Sequence, residues 1–270
     1  MDKILISVSA GETSSYMAQW IWNNWKDKEL QFVFANTGEE NEESLIFMKK
    51  CSEYFGFPVT WVESEVIHNE RKSSGCKIVN FETASRKGEP FKEVISKYGI
   101  PNTAFPHCTR ELKLNPIKSF IKSIGWKDYK TAIGIRPDEF DRINPKHKEL
   151  NLIYPLVTEV YMDKPRINLW WSKQPFRLNL KGYQGNCKTC WKKSDPKLYQ
   201  IYKENPDYFN FNLEMENKYP EYTFFRKNRS TKDIIREAKL WKGKVKDDSQ
   251  VMFLQEELFE NESCEVFTEC

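Results

Sequence analysis

No apolar stretch of the chain approaches the roughly 18 residues that a membrane-spanning helix needs, and no basic-then-apolar leader opens it, so neither membrane spanning nor secretion is expected. A cytoplasmic setting is the expectation. There the seven cysteines read as thiols, metal ligands or redox centres rather than as a disulfide framework. An excess of one charge is missing as well: 42 Lys and Arg face 39 Asp and Glu, a formal +3, which does not mark the chain as a whole as a nucleic-acid binder. Local cationic clusters can still meet phosphates. Internal repeats and low-complexity runs are absent, which excludes solenoid and linker-like architectures. What is present is an ordinary globular composition: 270 residues, 39% hydrophobic and 14% aromatic with nine Trp, enough for a sizeable core in one large domain or one domain with an extension.

The first fifteen residues describe a strand, a small-residue loop and a helix start. The apolar run Ile4 to Val8 leads into Ser9, Ala10, Gly11, Glu12, Thr13, Ser14 and Ser15, and Tyr16, Met17, Trp20, Ile21 and Trp25 follow on one helical stripe. Free N–H groups of a first helical turn, its positive dipole end and small side chains all favour a phosphate or sulfate there, whereas the bland alternative is a turn with a helix cap. Neither the Lys-Ser/Thr ending of a Walker loop nor the spacing of a Rossmann fingerprint is present.

The pattern then repeats. Gln31 to Ala35 reads as a strand ending at Asn36, Thr37, Gly38 and Glu39; a helix carrying Leu45, Met48 and Phe55 stops at Gly56; and Val59 to Val62 reads as a third strand. Strand, helix, strand, helix, strand predicts a parallel sheet with crossover helices, whose ligands gather at the carboxyl ends of the strands. Lys113 to Ile124 predicts a further amphipathic helix and Tyr129 to Ile135 a further strand, which brings Gly134, Arg136, Asp138, Glu139 and Arg142 to the same edge. The polar segment 81–90 is open between a substrate-binding excursion, with Arg86 and Glu89 toward ligand, and a helix-entry turn. After about Asn151 come short aromatic-rich helices with capping signals at Asp195 and Ser230. The expected organisation is an α/β domain over 1–160, a helical extension over 161–246 and an acidic tail over 247–270.

The cysteines differ in setting. Cys51 falls on an apolar helix face and reads as a core thiol. Cys187 and Cys190 form a C-x-x-C on a glycine-rich knuckle, open among a metal site, a redox pair and coincidence. Cys108, 79 positions earlier and beside His107, is a third thiol for an iron–sulfur or zinc site, with the fourth ligand open among His107, Cys76 and a tail cysteine. Cys270, six positions after Cys264, is a candidate swinging nucleophile or simply an exposed thiol. Arg110 and Lys113, at the start of the basic helix, suit phosphate or sulfate oxygens, against the alternative of a solvated basic face.

On these motifs the chain resembles the phosphoadenosine phosphosulfate (PAPS) reductase family within the PP-loop, or adenine nucleotide alpha hydrolase, group. Ser9 to Ser14 resembles its S-G-G-x-[DT]-S loop with Ala10 in place of the first glycine. Asn36-Thr37-Gly38, Cys108 to Lys113 with Pro116, Gly134 to Arg136 with Glu139 and Arg142, Tyr154-Pro155-Leu156, Gly182-Tyr183 and Gly185-Asn186-Cys187 with Cys190 follow the family's order over about Lys3 to Ser194. The resemblance implies a doubly wound α/β fold binding an adenine nucleotide, with its phosphate or sulfate on the Ser9 to Ser15 loop. Two departures bear on mechanism: the family's reductases end in a Glu-Cys-Gly-x-His-like segment where this chain ends Glu269-Cys270, and its cluster enzymes carry Cys-Cys where this chain has His107-Cys108.

The expected activity is therefore chemistry at the α-phosphate of ATP or at the sulfate of a sulfonucleotide (APS or PAPS), coupled to sulfur transfer. In its ATP version Ser9, Ser14 and Ser15 hold phosphates, Lys113 and Arg136 offset charge, and Mg²⁺ bridges oxygens. A sulfur donor and a nucleic-acid acceptor belong to that reading; a membrane does not. The alternatives are a reductase releasing sulfite, in which Cys270 or Cys264 attacks the sulfonucleotide and a thioredoxin-like partner resolves the product, and an idle nucleotide-binding module.

Overall fold

A computed structural model of the chain describes residues 1–68, 71–185 and 187–249. The elements run β1 (Lys3–Val8), α1 (Glu12–Asn24), β2 (Glu29–Asn36), α2 (Glu42–Phe55), β3 (Val59–Glu65), β4 (Gly75–Val79), α3 (Glu89–Tyr98), α4 (Asn115–Ser123), β5 (Lys130–Ile133), β6 (Leu152–Ile153), α5 (Pro155–Thr158), α6 (Lys164–Ser172), α7 (Asp195–Glu204), α8 (Asn210–Lys218) and α9 (Thr231–Leu240). Six strands form one sheet in the order β4-β3-β2-β1-β5-β6, parallel throughout except for the antiparallel pair β3–β4. The fold is thus α/β, with a mostly parallel sheet.

Alternation along the central strands explains the layering. Ile4, Ile6 and Val8 of β1 and Phe32 and Phe34 of β2 enter one core with Met17, Leu45, Met48, Ile167 and Trp171, whereas Leu5, Val33 and Ala35 enter another with Ile117, Phe120 and Ile121. Successive side chains point to opposite faces, so a strand apolar at every position is one buried on both sides. Here α1, α2 and α6 cover one face and α4 the other. A third cluster joins α3 to α7, α8 and α9 around Phe209, Phe225 and Ile234.

The predicted strands and helices of the first 62 residues are all present. The edge strands β4 and β6 were not legible: β4 exposes Lys77 and Ile78, and β6 is two residues long. The segment 81–90 is the entry turn of α3. Arg86 is spent on the carbonyls of Ala84 (2.7 Å) and Phe81 (2.8 Å) and on Glu42, and the Glu89 carboxylate accepts from the Lys87 N–H. Ser230 caps α9 in a reciprocal box with Asp233, as its spacing predicts, whereas the cap of α7 is Ser194, one residue before Asp195. Cys51 is fully buried, as its helix face predicts. No helix among the described residues is long and apolar enough to cross a membrane.

Candidate functional site

The chain moves outward from β1 through β2 to β3 and later returns to the other side of β1 with β5, so the strand order reverses between β1 and β5. Loops leaving the carboxyl ends of strands diverge at such a reversal and leave a crevice. Close packing marks it: a Cβ on Gly134, just past β5, would lie 3.1 Å from the Ser14 Cα in α1. A methyl there would need one of the two backbones to give by a few tenths of an ångström.

The first loop is internally braced. Ala10 is buried with a left-handed φ of 55°, a conformation that costs an L-residue about 1–2 kcal/mol and that glycine would adopt freely. Ser14 holds the loop in that shape: its Oγ accepts from the Ser9 N–H (3.1 Å), meets the Ser9 Oγ (2.9 Å) and donates to the Gly11 carbonyl (3.0 Å). Gly11, at the N-cap of α1, offers no side-chain acceptor, so no side chain caps the first-turn N–H groups. Ser15 has a different place. Its hydroxyl is buried against the Cys51 thiol, a weak partner, and has no oxygen or nitrogen partner among the described residues.

Arg136, past β5, spans the reversal. Its guanidinium forks onto Asp138 (3.0 Å through Nε and 3.0 Å through Nη2), reaches Glu139 at 3.2 Å and donates to the Thr13 hydroxyl at the start of α1 (3.1 Å). Arg142, exposed, pairs with the same Glu139. On the opposite flank Arg177 clamps the Glu12 carboxylate (2.9 and 3.0 Å) while Trp171 donates to the Glu12 carbonyl (3.0 Å). The extension thereby holds the first turn of α1. Sequence reasoning missed Arg177 and Glu12, since residues 165 positions apart give no local signal.

The second loop builds a buried acidic corner. Asn36 donates to Glu63 (2.6 Å) and to the Ser85 carbonyl (2.8 Å), and Gly38 turns with φ 80° against the backbone of Gly88. Both the N–H and the hydroxyl of Thr37 donate to one oxygen of Glu40 (2.9 and 2.8 Å). The other oxygen of Glu40 lies 3.7 Å from the Lys113 ammonium and 4.0 Å from the Cys187 thiol. Glu39 beside it is driven up to about 7, chiefly by burial.

Lys113 reaches this corner through a local irregularity. Pro116 has no N–H to give to the Leu112 carbonyl, and residues Arg110–Leu114 adopt a wide π-type turn in which Asn115 donates to Arg110 before α4 begins. Burial works against the Lys113 charge, but Cys187, Glu40, Cys190 and Cys108 more than offset it, and its pKa is raised. Cys187 is itself pushed up to about 12 by burial, so at neutral pH it is a thiol and Glu40 is the standing counter-charge of the lysine.

The C-x-x-C knuckle docks directly on the second loop. Lys188 donates its N–H to the Glu39 carbonyl (2.9 Å), Asn41 donates to the Gln184 carbonyl (3.0 Å), and the Cys187 sulfur lies 3.5 Å from the Thr37 hydroxyl. Lys193, with its pKa lowered by burial, ties the knuckle through the carbonyls of Gly185 and Cys187. The structure therefore brings Cys108, Cys187 and Cys190 into the electrostatic neighbourhood of one ammonium. It sets Cys76 elsewhere, on β4 opposite Ser64 and against the α4 core. His107 is buried next to Tyr98, its Nε2 without a partner among the described residues and its pKa lowered by burial. Arg110 is spent through Nε on the buried Glu111 (2.7 Å). Among the described residues no three Cys, His, Asp or Glu side chains are gathered closely enough to hold a metal ion. Of the carboxylates at the crevice, Asp138 and Glu139 are engaged by Arg136 and Arg142, and Glu12 by Arg177. Cys264 and Cys270 lie outside the described residues.

No family model matches the chain. It is 30% identical over 200 residues to the uncharacterized nin region protein ORF290 of Escherichia phage lambda, a match spanning 72% of this chain and 67% of that protein. It is also 29% identical over 125 residues to the uncharacterized protein MJ0066 of Methanocaldococcus jannaschii, spanning 46% of this chain and 21% of that protein.

Proposed function

The chain belongs to the family of the phage lambda nin region protein ORF290, and from its crevice we propose that it is an enzyme of the PP-loop type that binds an adenine nucleotide and couples cleavage at the α-phosphate or sulfate to sulfur transfer. The observation that carries the reading is the convergence of an uncapped helix start, two cations from separate elements and a pair of thiols on one end of the sheet.

The nucleotide's anionic groups sit on the loop from Ser9 to Thr13, where first-turn N–H groups and the dipole of α1 offer fixed positive charge. The Ser9 hydroxyl, braced by Ser14, is available to one oxygen. Arg136 is already oriented across the gap by Asp138 and Glu139, and its contact with Thr13 puts the guanidinium beside the loop. Negative charge develops on the leaving oxygens as the bond breaks; Lys113 and Arg136 offset it without reorganising. Glu40 keeps Lys113 protonated for that role, and the Cys187 and Cys190 thiols beside it are placed to carry sulfur. The doubly wound PP-loop architecture and the PAPS reductase resemblance belong to this same proposal, supported by the strand order and by helices on both faces of the sheet.

Titration calorimetry with ATP, adenylyl sulfate and its 3′-phosphorylated form tests binding, and product analysis separates the chemistries. AMP with pyrophosphate marks the ATP route; sulfite marks the reductase route, and its survival in Cys270→Ser removes the tail thiol from it. No binding of any of the three nucleotides overturns the proposal.

A further inference from the structure

Beside the knuckle, on the solvent side, positive charge accumulates without its usual partners. Residues 225–229 form a tight hairpin in which Phe225 and Arg229 are bridged, and Lys227 and Asn228 at its tip both take left-handed φ, 62° and 54°. A tip of this kind normally uses glycine or asparagine, so placing lysine there costs about 1–2 kcal/mol. The hairpin is pinned to the knuckle by Arg226, whose guanidinium donates to the Lys192 carbonyl (2.9 Å), and Lys192 in turn donates to the Thr109 hydroxyl (3.3 Å), next to Arg110. Arg110, Lys192, Arg226 and Lys227 are all exposed.

Nearby carboxylates are spent elsewhere. Asp195 and Glu237 pair with Arg229, and Glu111 is buried against Arg110, which uses only its Nε there. Among the described residues none of Lys192, Arg226 and Lys227 forms an ion pair with a carboxylate. Lys193, next along the chain from Lys192, senses the charge of Lys113 at the crevice. A chain of phosphates suits four exposed cations, because each one that displaces condensed counterions from a polyanion adds to affinity. Phe105, 68% exposed, is displayed five residues before Arg110 on the adjoining loop, a stacking platform of the kind that unpaired bases use.

We propose that the surface formed by Arg110, Lys192, Arg226 and Lys227 binds the phosphodiester backbone of a single-stranded nucleic acid and leads it toward the crevice. As the identity of the sulfur acceptor this rests on the function proposed above; as a binding surface it stands on these residues alone.

The test is fluorescence anisotropy of labelled single-stranded DNA and RNA oligonucleotides with the full chain, titrated at several salt concentrations without nucleotide. Expected is binding whose logarithm falls linearly with log salt, and a loss of about 1.4 in that slope for Lys192→Ala/Arg226→Ala, two contacts at roughly 0.7 each. Lys227→Glu, at a tip where the lysine has no ion-pair partner among the described residues, weakens binding severalfold with an unchanged thermal midpoint, and Arg226→Lys retains the slope. The proposal is overturned if neither oligonucleotide binds, if the variants bind like the parent chain, or if the matching duplex or polyglutamate competes as well as the single strand. Calorimetric nucleotide binding is measured on the same variants. Intact nucleotide binding with no oligonucleotide binding removes this surface alone, and the converse result removes the crevice reading alone.

Discussion

Two neighbouring serines at the start of α1 give the sharpest test of the loop. Ser14 and Ser15 are both almost fully buried, at 4% and 0% exposure, and both belong to the same small-residue motif. Their hydroxyls do unlike things. Ser14→Ala takes an acceptor from the Ser9 N–H, a partner from the Ser9 hydroxyl and a donor from the Gly11 carbonyl, three contacts of 2.9–3.1 Å. A net 0.5–1.5 kcal/mol each, at the lower end because the loop is only part-buried, gives a loss of about 2 kcal/mol. For a chain of this size that lowers the thermal midpoint by roughly 4–8 °C. The loop loses its brace against the left-handed Ala10, so anion binding weakens by roughly tenfold or more beyond the stability effect. Ser15→Ala removes a buried hydroxyl whose polar neighbour is the weakly bonding Cys51 thiol, and its expected cost is below about 1 kcal/mol. Urea unfolding with a checked m-value measures both variants, and calorimetry with ATP or a sulfonucleotide measures binding. Equal destabilisation by the two substitutions, or full nucleotide affinity in Ser14→Ala, would refute the bracing role.

Lys113→Met removes the cation that favours the Cys187 thiolate, so iodoacetamide labels Cys187 about three- to tenfold more slowly at pH 8, while Lys113→Arg keeps the parent rate; mass spectrometry of the labelled peptide reads this. Glu39 is raised in the fold from 4.5 to about 7, so the folded state holds its proton over that interval; stability is fully present below about 4.5 and falls as pH rises through 7, by up to about 3 kcal/mol. Its charged neighbours Lys188, Lys92, Glu40 and Glu89 do not cancel the burial effect, and Glu39→Gln flattens that part of the profile in unfolding titrations from pH 5 to 8. Gly134→Ala places a Cβ 3.1 Å from the Ser14 Cα, which shifts the two backbones by a few tenths of an ångström at a cost of about 1 kcal/mol and weakens nucleotide binding, both measurable on one preparation.

Much of the sheet was legible because its central strands carry runs of consecutive apolar residues, Ile4 to Ile6 and Phe32 to Ala35, and its helices carry one apolar stripe, signals that survive without tertiary context. The edge strands were not, since β4 is half exposed and β6 is a two-residue strand paired to β5. The same division runs through the site. Local sequence marks the small residues from Ser9 to Ser15, the turn at Asn36 to Gly38 and the C-x-x-C, because loops that hug backbone or turn sharply must use such residues. It gives Ser14 and Ser15 identical standing; only packing turns one into the loop and the other toward Cys51.

By itself, then, the sequence determined a parallel α/β core and the small-residue loops at its carboxyl edge, since periodicity and turn chemistry act over a few residues. Tertiary structure alone decided which distant charges meet there: Arg177 on Glu12, Arg136 on Thr13, and Lys113 and Cys187 around Glu40. Ion pairs and hydrogen bonds depend on angstroms of separation rather than on position in the chain, and those separations exist only once the sheet has placed its loops side by side.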